Sequence, residues 1–267
     1  MMKYFFFLLL FYSKVFYAQI NSIDDPKNIF SGQLQNFPEN SLHKNNFKIN
    51  ILSPFIHNYS ASFERLISKK ISVQLGYRYA SSSYLIDNII GKKIVKQGIG
   101  DPRYYGFETS NYAVTGDIRW YLGKKEGMRG LFIGLYGRFV VFSADNKDYN
   151  YVTKPENVYN VPLVTNFNGL AGGIIVGRQW IIKKRITIEY LSGFHYGKLN
   201  GSLTSKKDLS GLSDEEKNNL KANISEIFLI FDKNYLSNFM VTDDGINGNI
   251  SGPFIGIRSA ISIGLIF

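Results

Sequence analysis

Residues 111–122 read Asn-Tyr-Ala-Val-Thr-Gly-Asp-Ile-Arg-Trp-Tyr-Leu, and their side chains fall into two alternating sets. Tyr112, Val114, Ile118, Trp120 and Leu122 share one face with Gly116. Asn111, Ala113, Thr115, Asp117, Arg119 and Tyr121 share the other. A period of two is that of a β-strand whose faces meet different surroundings. A soluble sandwich alternates in the same way, so the decision rests on how the rest of the chain repeats the pattern.

Residues 71–79, 131–141, 186–196 and 253–267 repeat it cleanly. Residues 47–52, 59–66 and 169–182 repeat it less regularly, the last with Gly169, Gly173 and Gly177 on one face. The total is eight, and a single-chain bacterial barrel requires an even number. Short connections at 67–70, 123–128 and 183–185 alternate with long ones at 80–108, 143–167 and 198–251. Tight periplasmic turns and long outside loops produce this asymmetry when both termini are periplasmic. The connection at 53–58 breaks the rule, being short where an outside loop is expected.

The two faces differ in charge. One carries nearly all the aliphatic and aromatic residues. The other carries Lys48, Glu64, Arg78, Asp117, Arg119, Arg138, Glu189 and Arg258 among Gly, Ser and Ala. A charge on a lipid face costs a few kcal/mol near the midplane, so the charged face is expected to point inward. The lumen of eight strands holds little more than its own side chains. The eight charged residues are therefore expected to pair in a structural plug, since an unpaired buried charge is costly. The expected fold is all-β: an eight-stranded antiparallel up-and-down transmembrane β-barrel with long extracellular loops.

The ends of the chain carry export signals. Lys3 precedes nine apolar residues, Tyr4 to Tyr12, too few to span a bilayer as a helix but suited to a signal peptide. Residues 1–18 are expected to be removed after Ala18. Residues 19–45, polar and aperiodic, then form a periplasmic arm before the barrel at 46–267. The last residue, Phe267, closes an alternating strand, as in the terminal signal read by the barrel-assembly machinery.

Together these features resemble the small outer-membrane barrels typified by the OmpA transmembrane domain, OmpX and OmpW. Ser-Phe-Glu-Arg at 62–65 leading into Ile-Ser-Val-Gln-Leu-Gly at 71–76 looks like the start of an uncharacterised subfamily of that architecture. Arg-Trp-Tyr-Leu at 119–122 followed by Gly-Leu-Phe-Ile-Gly at 130–134 does so too. The resemblance implies a Gram-negative outer membrane as location. No peptidoglycan-binding segment is read after the barrel, a departure from full-length OmpA.

Other chemistry is not indicated. The chain has no cysteine, which removes disulfides, zinc-thiolate sites and thiol nucleophiles. His43, His57 and His195 lack metal-ligand spacing, and no cofactor site is read. His195 has lumen parity, whereas lipid-modifying chemistry would need a lipid-facing His–Ser pair; an enzyme is not expected. The net charge of +10 is spread through turns and strands rather than gathered in a patch, so nucleic acid is not expected as a partner. Ser213 with Glu216 three residues on reads as a capping box, and Leu220, Ile224, Ile227, Phe228 and Phe231 follow at helical spacing. A short helix is thus expected in the connection 198–251, packed on the protein's own loops or offering a surface to a partner or ligand. The expected role is structural or interactive, in contact with outer-membrane lipid. The alternatives are a narrow channel for small or apolar solutes and, below it, a lipid-modifying enzyme.

Overall fold

A computed structural model describes residues 43–84, 106–153, 157–230 and 233–267. The expected signal peptide, most of the arm at 19–45, the middle of the connection 80–108 and Phe231 lie outside the described residues. Among the described residues thirteen strands and one α-helix follow in order. β1 (Asn45–Asn50) and β2 (Asn58–Leu66) are joined by a 3-10 turn, Ser53–Ile56. β3 (Ile71–Tyr84), β4 (Glu108–Tyr121) and β5 (Gly130–Asp145) follow. A small hairpin of β6 (Asn150–Val152) and β7 (Val158–Asn160) precedes β8 (Val164–Ile182) and β9 (Ile186–Ser205). The last connection holds α1 (Asp214–Ile227), the hairpin of β10 (Leu229–Ile230) and β11 (Lys233–Asn234), and β12 (Leu236–Thr242). β13 (Gly245–Ile266) ends the chain.

β1, β2, β3, β4, β5, β8, β9 and β13 pair antiparallel in that order, and β13 returns to β1 to close a ring of eight. Pairing can be followed once around from Phe47 through Phe63, Leu75, Gly116, Gly137, Gly172 and Tyr196 to Ile255. Phe47 itself faces Leu265, ten residues further along β13. A stagger of that size tilts the strands by about 40° to the barrel axis.

Alternation places the two faces as the sequence divides them. Leu75, Ile118, Leu135, Leu170 and Ile257 are exposed on the outside, while Lys48, Glu64, Asp117, Arg119 and Glu189 are buried inside. Tyr59, Tyr79 and Tyr112 are register partners across three strands and form an aromatic row toward the loop end; Trp120 lies toward the turn end. Exposed charge on the outer strand face begins only at the rims, with Arg65 and Arg178 at the turn end and Lys198 at the loop end. An apolar belt between aromatic rows, wrapped around a charged interior, is a lipid-facing surface. Among the described residues no helix is long and apolar enough to cross a membrane; the strands make the crossing. The protein is a β-barrel of the outer membrane.

The strands on the loop side run further than residue periodicity indicates. β9 continues to Ser205 and β13 begins at Gly245, so the connection read as 198–251 shrinks to 206–244. It also holds a strand, β12, added to the barrel edge through β13. Beyond the membrane both faces of a strand meet water or loops, and the alternation fades while backbone pairing continues. These extensions and loops build a second apolar cluster around Leu163, Leu203, Leu220, Ile224, Phe239 and Ile250. The helix thus packs on the protein's own loops. Its Ser213 side chain accepts from the Glu216 N–H and the Glu216 carboxylate accepts from the Ser213 N–H, the expected capping box.

Candidate functional site in the lumen

The turn-end half of the lumen is filled by an array of ion pairs. Lys48 Nζ lies 2.7 Å from Glu64 and 2.5 Å from Glu189. Arg119 reaches Glu189 at 2.6 Å, Asp117 at 2.9 Å and Glu64 at 3.6 Å. Arg258 forks onto Asp117, with contacts of 2.7 and 3.2 Å. Three cations face three carboxylates, so the array is neutral. Bidentate and shared contacts of this kind are what make a buried ionic cluster tolerable.

Neutral side chains complete it. Ser72 and Tyr121 donate to Glu64 at 2.5 and 2.7 Å, and Gln74 donates to Asp117 at 3.1 Å. Gln179 bridges Lys48 and the Met128 carbonyl. The Arg119 guanidinium also stands 4.7 Å over the Phe132 ring. Below the ions, Leu66, Tyr121, Met128, Phe132 and Ile266 close the turn end with apolar packing. The glycines of β8 make room for these rings. A Cβ on Gly177 would stand 2.4 Å from Phe132, and one on Gly173 2.7 Å from Tyr136.

Arg78 and Arg138 stand apart from this array. Both face the lumen nearer the loops, separated across β4 by the small side chains of Ala113 and Thr115. Arg78 donates to the Asn111 amide oxygen at 2.7 Å. Among the described residues neither has a carboxylate within ion-pair distance, and the Nε of each is buried without a partner. His195 is buried beside them. Its Nδ1 meets the Tyr136 hydroxyl at 2.9 Å, its ring lies 4.9 Å from Phe254, and its Nε2 has no partner. A cavity of about 290 Å³ adjoins this half and touches Arg78, Arg138 and Arg258.

Of the eight charged residues read from sequence, six therefore share one array, and Arg78 and Arg138 stand outside it on a cavity that also touches Glu189 and Arg258. Tyr121, Tyr136, Gln74 and Gln179 were not among the residues singled out, although their parity places them on the charged face. Hydrogen bonding, not charge, is their contribution, and a search for charged residues passes over it. Among the described residues no group of three His, Cys, Asp or Glu is placed to hold a metal.

The fold is similar to two solved outer-membrane proteins. One is a major outer membrane protein from Thermus thermophilus, with 13% identity, a TM-score of 0.41 and coverage of 84% of this chain and 100% of that one. The other is CarO2 of Acinetobacter baumannii, with 11% identity, a TM-score of 0.36 and coverage of 85% and 100%. No curated protein matches the sequence. A family model described as "Protein of unknown function (DUF3575)" matches residues 29–229, three-quarters of the chain, and the chain belongs to that family.

Proposed function

We propose that this protein is a non-conducting outer-membrane barrel whose role is structural or interactive, with the loop-end assembly as its working surface. One observation carries the reading: the turn-end lumen is occupied by a neutral, hydrogen-bonded array from Lys48 to Arg258, with apolar packing beneath it. An ion crossing that layer would have to displace pairs held at 2.5–2.9 Å in a water-poor interior, where each broken pair leaves a charge uncompensated. A narrow channel for small or apolar solutes would need the whole layer to move.

The remaining parts fit a surface role. The helix, β12 and the β6–β7 hairpin form a packed body with its own apolar cluster, not a loose loop. A protein or ligand partner would meet that body, outer-membrane lipid would surround the belt, and the barrel-assembly machinery would read Phe267. The test is conductance of the purified protein in planar bilayers. The expected record is silent, or shows rare openings too small for hydrated ions. A steady ohmic step in every insertion would overturn the reading.

A further inference from the structure

The barrel wall is incomplete on one side. β13 pairs with β9 along nearly its whole length, but among the described residues its other edge is paired only at its two ends. β1 covers it at Ser262–Ile266, extended by the Ile51 N–H to Ile261, and β12 covers it at Gly245–Ile250, extended by Ser251 to Tyr235. Between them Pro253, Ile255, Ile257 and Ser259 turn their backbone groups toward a gap above the short β1–β2 hairpin. Proline has no N–H to leave unsatisfied and is confined to such edges; the Tyr235 hydroxyl caps its carbonyl at 3.0 Å. Among the described residues Ile255, Ile257 and Ser259 have no strand partner on that edge. An unpaired edge at membrane depth is tolerated only where it lines a cavity that supplies polar partners.

The cavity meets that requirement. It is lined by outward-facing Leu52, Tyr77 and Ile257 as well as by inward-facing Arg78, Arg138 and Arg258. Beside the β13 edge that β1 and β12 leave unpaired, a cavity touching residues of both faces fits an opening in the wall. Tyr77 lies one step below the aromatic row at Tyr79, so the breach opens within the belt. Leu52, Tyr77 and Ile257 are about half exposed on the outside, while Arg138 inside is only 7% exposed and its Nε has no partner among the described residues.

We propose that this breach admits the anionic head group of a single-chain membrane amphiphile, which enters sideways from the bilayer and is held by Arg78 and Arg138. The two guanidiniums supply the positive charge that the plug leaves over, and a carboxylate or phosphate there would relieve their burial. The cavity takes a head group and the first part of a tail. The rest of the tail lies outside against Leu52, Tyr77 and Ile257. The turn end is sealed, so the membrane side is the route the geometry offers to an amphiphile. The inference rests on the sealed turn end of the proposed function, which conductance tests separately.

The test uses the full chain in zwitterionic nanodiscs with a photoreactive sixteen-carbon fatty acid. Labelling is expected to concentrate on the segments bordering the breach, residues 51–59 and 253–261, and to be competed by oleate but not by the same concentration of acetate. R78Q/R138Q is expected to lose about tenfold of that labelling, the effect of removing charge-assisted hydrogen bonds, with its heat-modifiable gel mobility intact. Labelling spread evenly around the belt would overturn the proposal. So would a neutral fatty alcohol analogue labelling the same segments equally, since head-group charge would then be irrelevant. Competition by acetate as strong as by oleate would show a small-anion site fed from water, and would overturn the membrane route.

Discussion

The two halves of the lumen lie inside one ring of strands, yet their charges are settled differently. Toward the turns, Lys48, Arg119 and Arg258 meet Glu64, Asp117 and Glu189 one for one. Toward the loops, Arg78 and Arg138 meet no acid among the described residues, and a cavity adjoins them. The first half is filled and neutral, which is the condition for stability. The second keeps charge and space, which is the condition for binding something. A tilt of about 40° with strands of unequal height allows both in one barrel, because the short β1–β2 hairpin lowers the wall only beside the second half.

The largest test of this division removes one cation from each half. Arg119→Leu leaves Glu189 and Asp117 short of a partner inside a filled layer, and is expected to cost about 3–5 kcal/mol. Arg138→Leu removes a cation that no acid among the described residues balances, and is expected to change stability by less than about 1 kcal/mol. Urea unfolding in detergent micelles, followed by tryptophan fluorescence, measures both. Equal losses would merge the two halves into one network and end the comparison.

A smaller test adds volume instead of removing charge. Gly177→Ala would drive a methyl into the Phe132 ring and the Tyr190 carbonyl, at 2.4 and 2.6 Å. Overpacking of this kind costs about 1–3 kcal/mol. The same added methyl at Gly116 or Gly137, where a Cβ meets nothing within 4 Å, is expected to be neutral in the same unfolding assay. A cost at Gly116 matching that at Gly177 would mean the filled half is not the tight one.

How much of this was legible in the sequence follows from what alternation can encode. Parity separates inside from outside, and it sorted Asp117 from Ile118 and Arg138 from Phe139 because lipid and lumen demand opposite residues. Parity carries no height. Arg78 and Arg119 look equivalent along their strands. Only the stagger between strands shows that Arg119 lies among the acids while Arg78 lies beside Arg138. The strand ends beyond the belt were illegible for a related reason. Residues 197–205, Gly-Lys-Leu-Asn-Gly-Ser-Leu-Thr-Ser, continue β9 with small or polar residues on the outer face, where lipid no longer imposes a choice. Two signals of the breach were present, the short connection at 53–58 and a proline at the start of the strand read as 253–267, which the structure carries back to Gly245. Neither means an open wall until the register shows what fails to lie beside it.

The smallest predicted effect concerns the loop-end body, the part of the molecule farthest from the plug. Ser213 holds the first turn of α1, and Ser213→Ala is expected to cost about 1 kcal/mol locally. Amides of the helix should then exchange about fivefold faster in pulse-labelled hydrogen exchange, with the barrel amides unchanged. The same helix gives the pH dependence. Hydrogen bonds from the Ser213 backbone and hydroxyl hold the Glu216 carboxyl below its ordinary value of 4.5. A depressed carboxylate contributes stability that is present above 4.5 and lost as pH falls through the lowered value. The hydrogen bond to Asp243 holds the Lys217 ammonium above its ordinary 10.5. Its contribution is present below 10.5 and lost as pH rises through the raised value. Helix protection should therefore be flat between these limits and weaken beyond each. Ser213→Ala should reduce the acid limb only in part, because it removes the hydroxyl that Glu216 accepts from but keeps the backbone N–H, and it should leave the Lys217 limb unchanged. An acid limb that the substitution leaves unchanged would place the titrating group elsewhere in the loops.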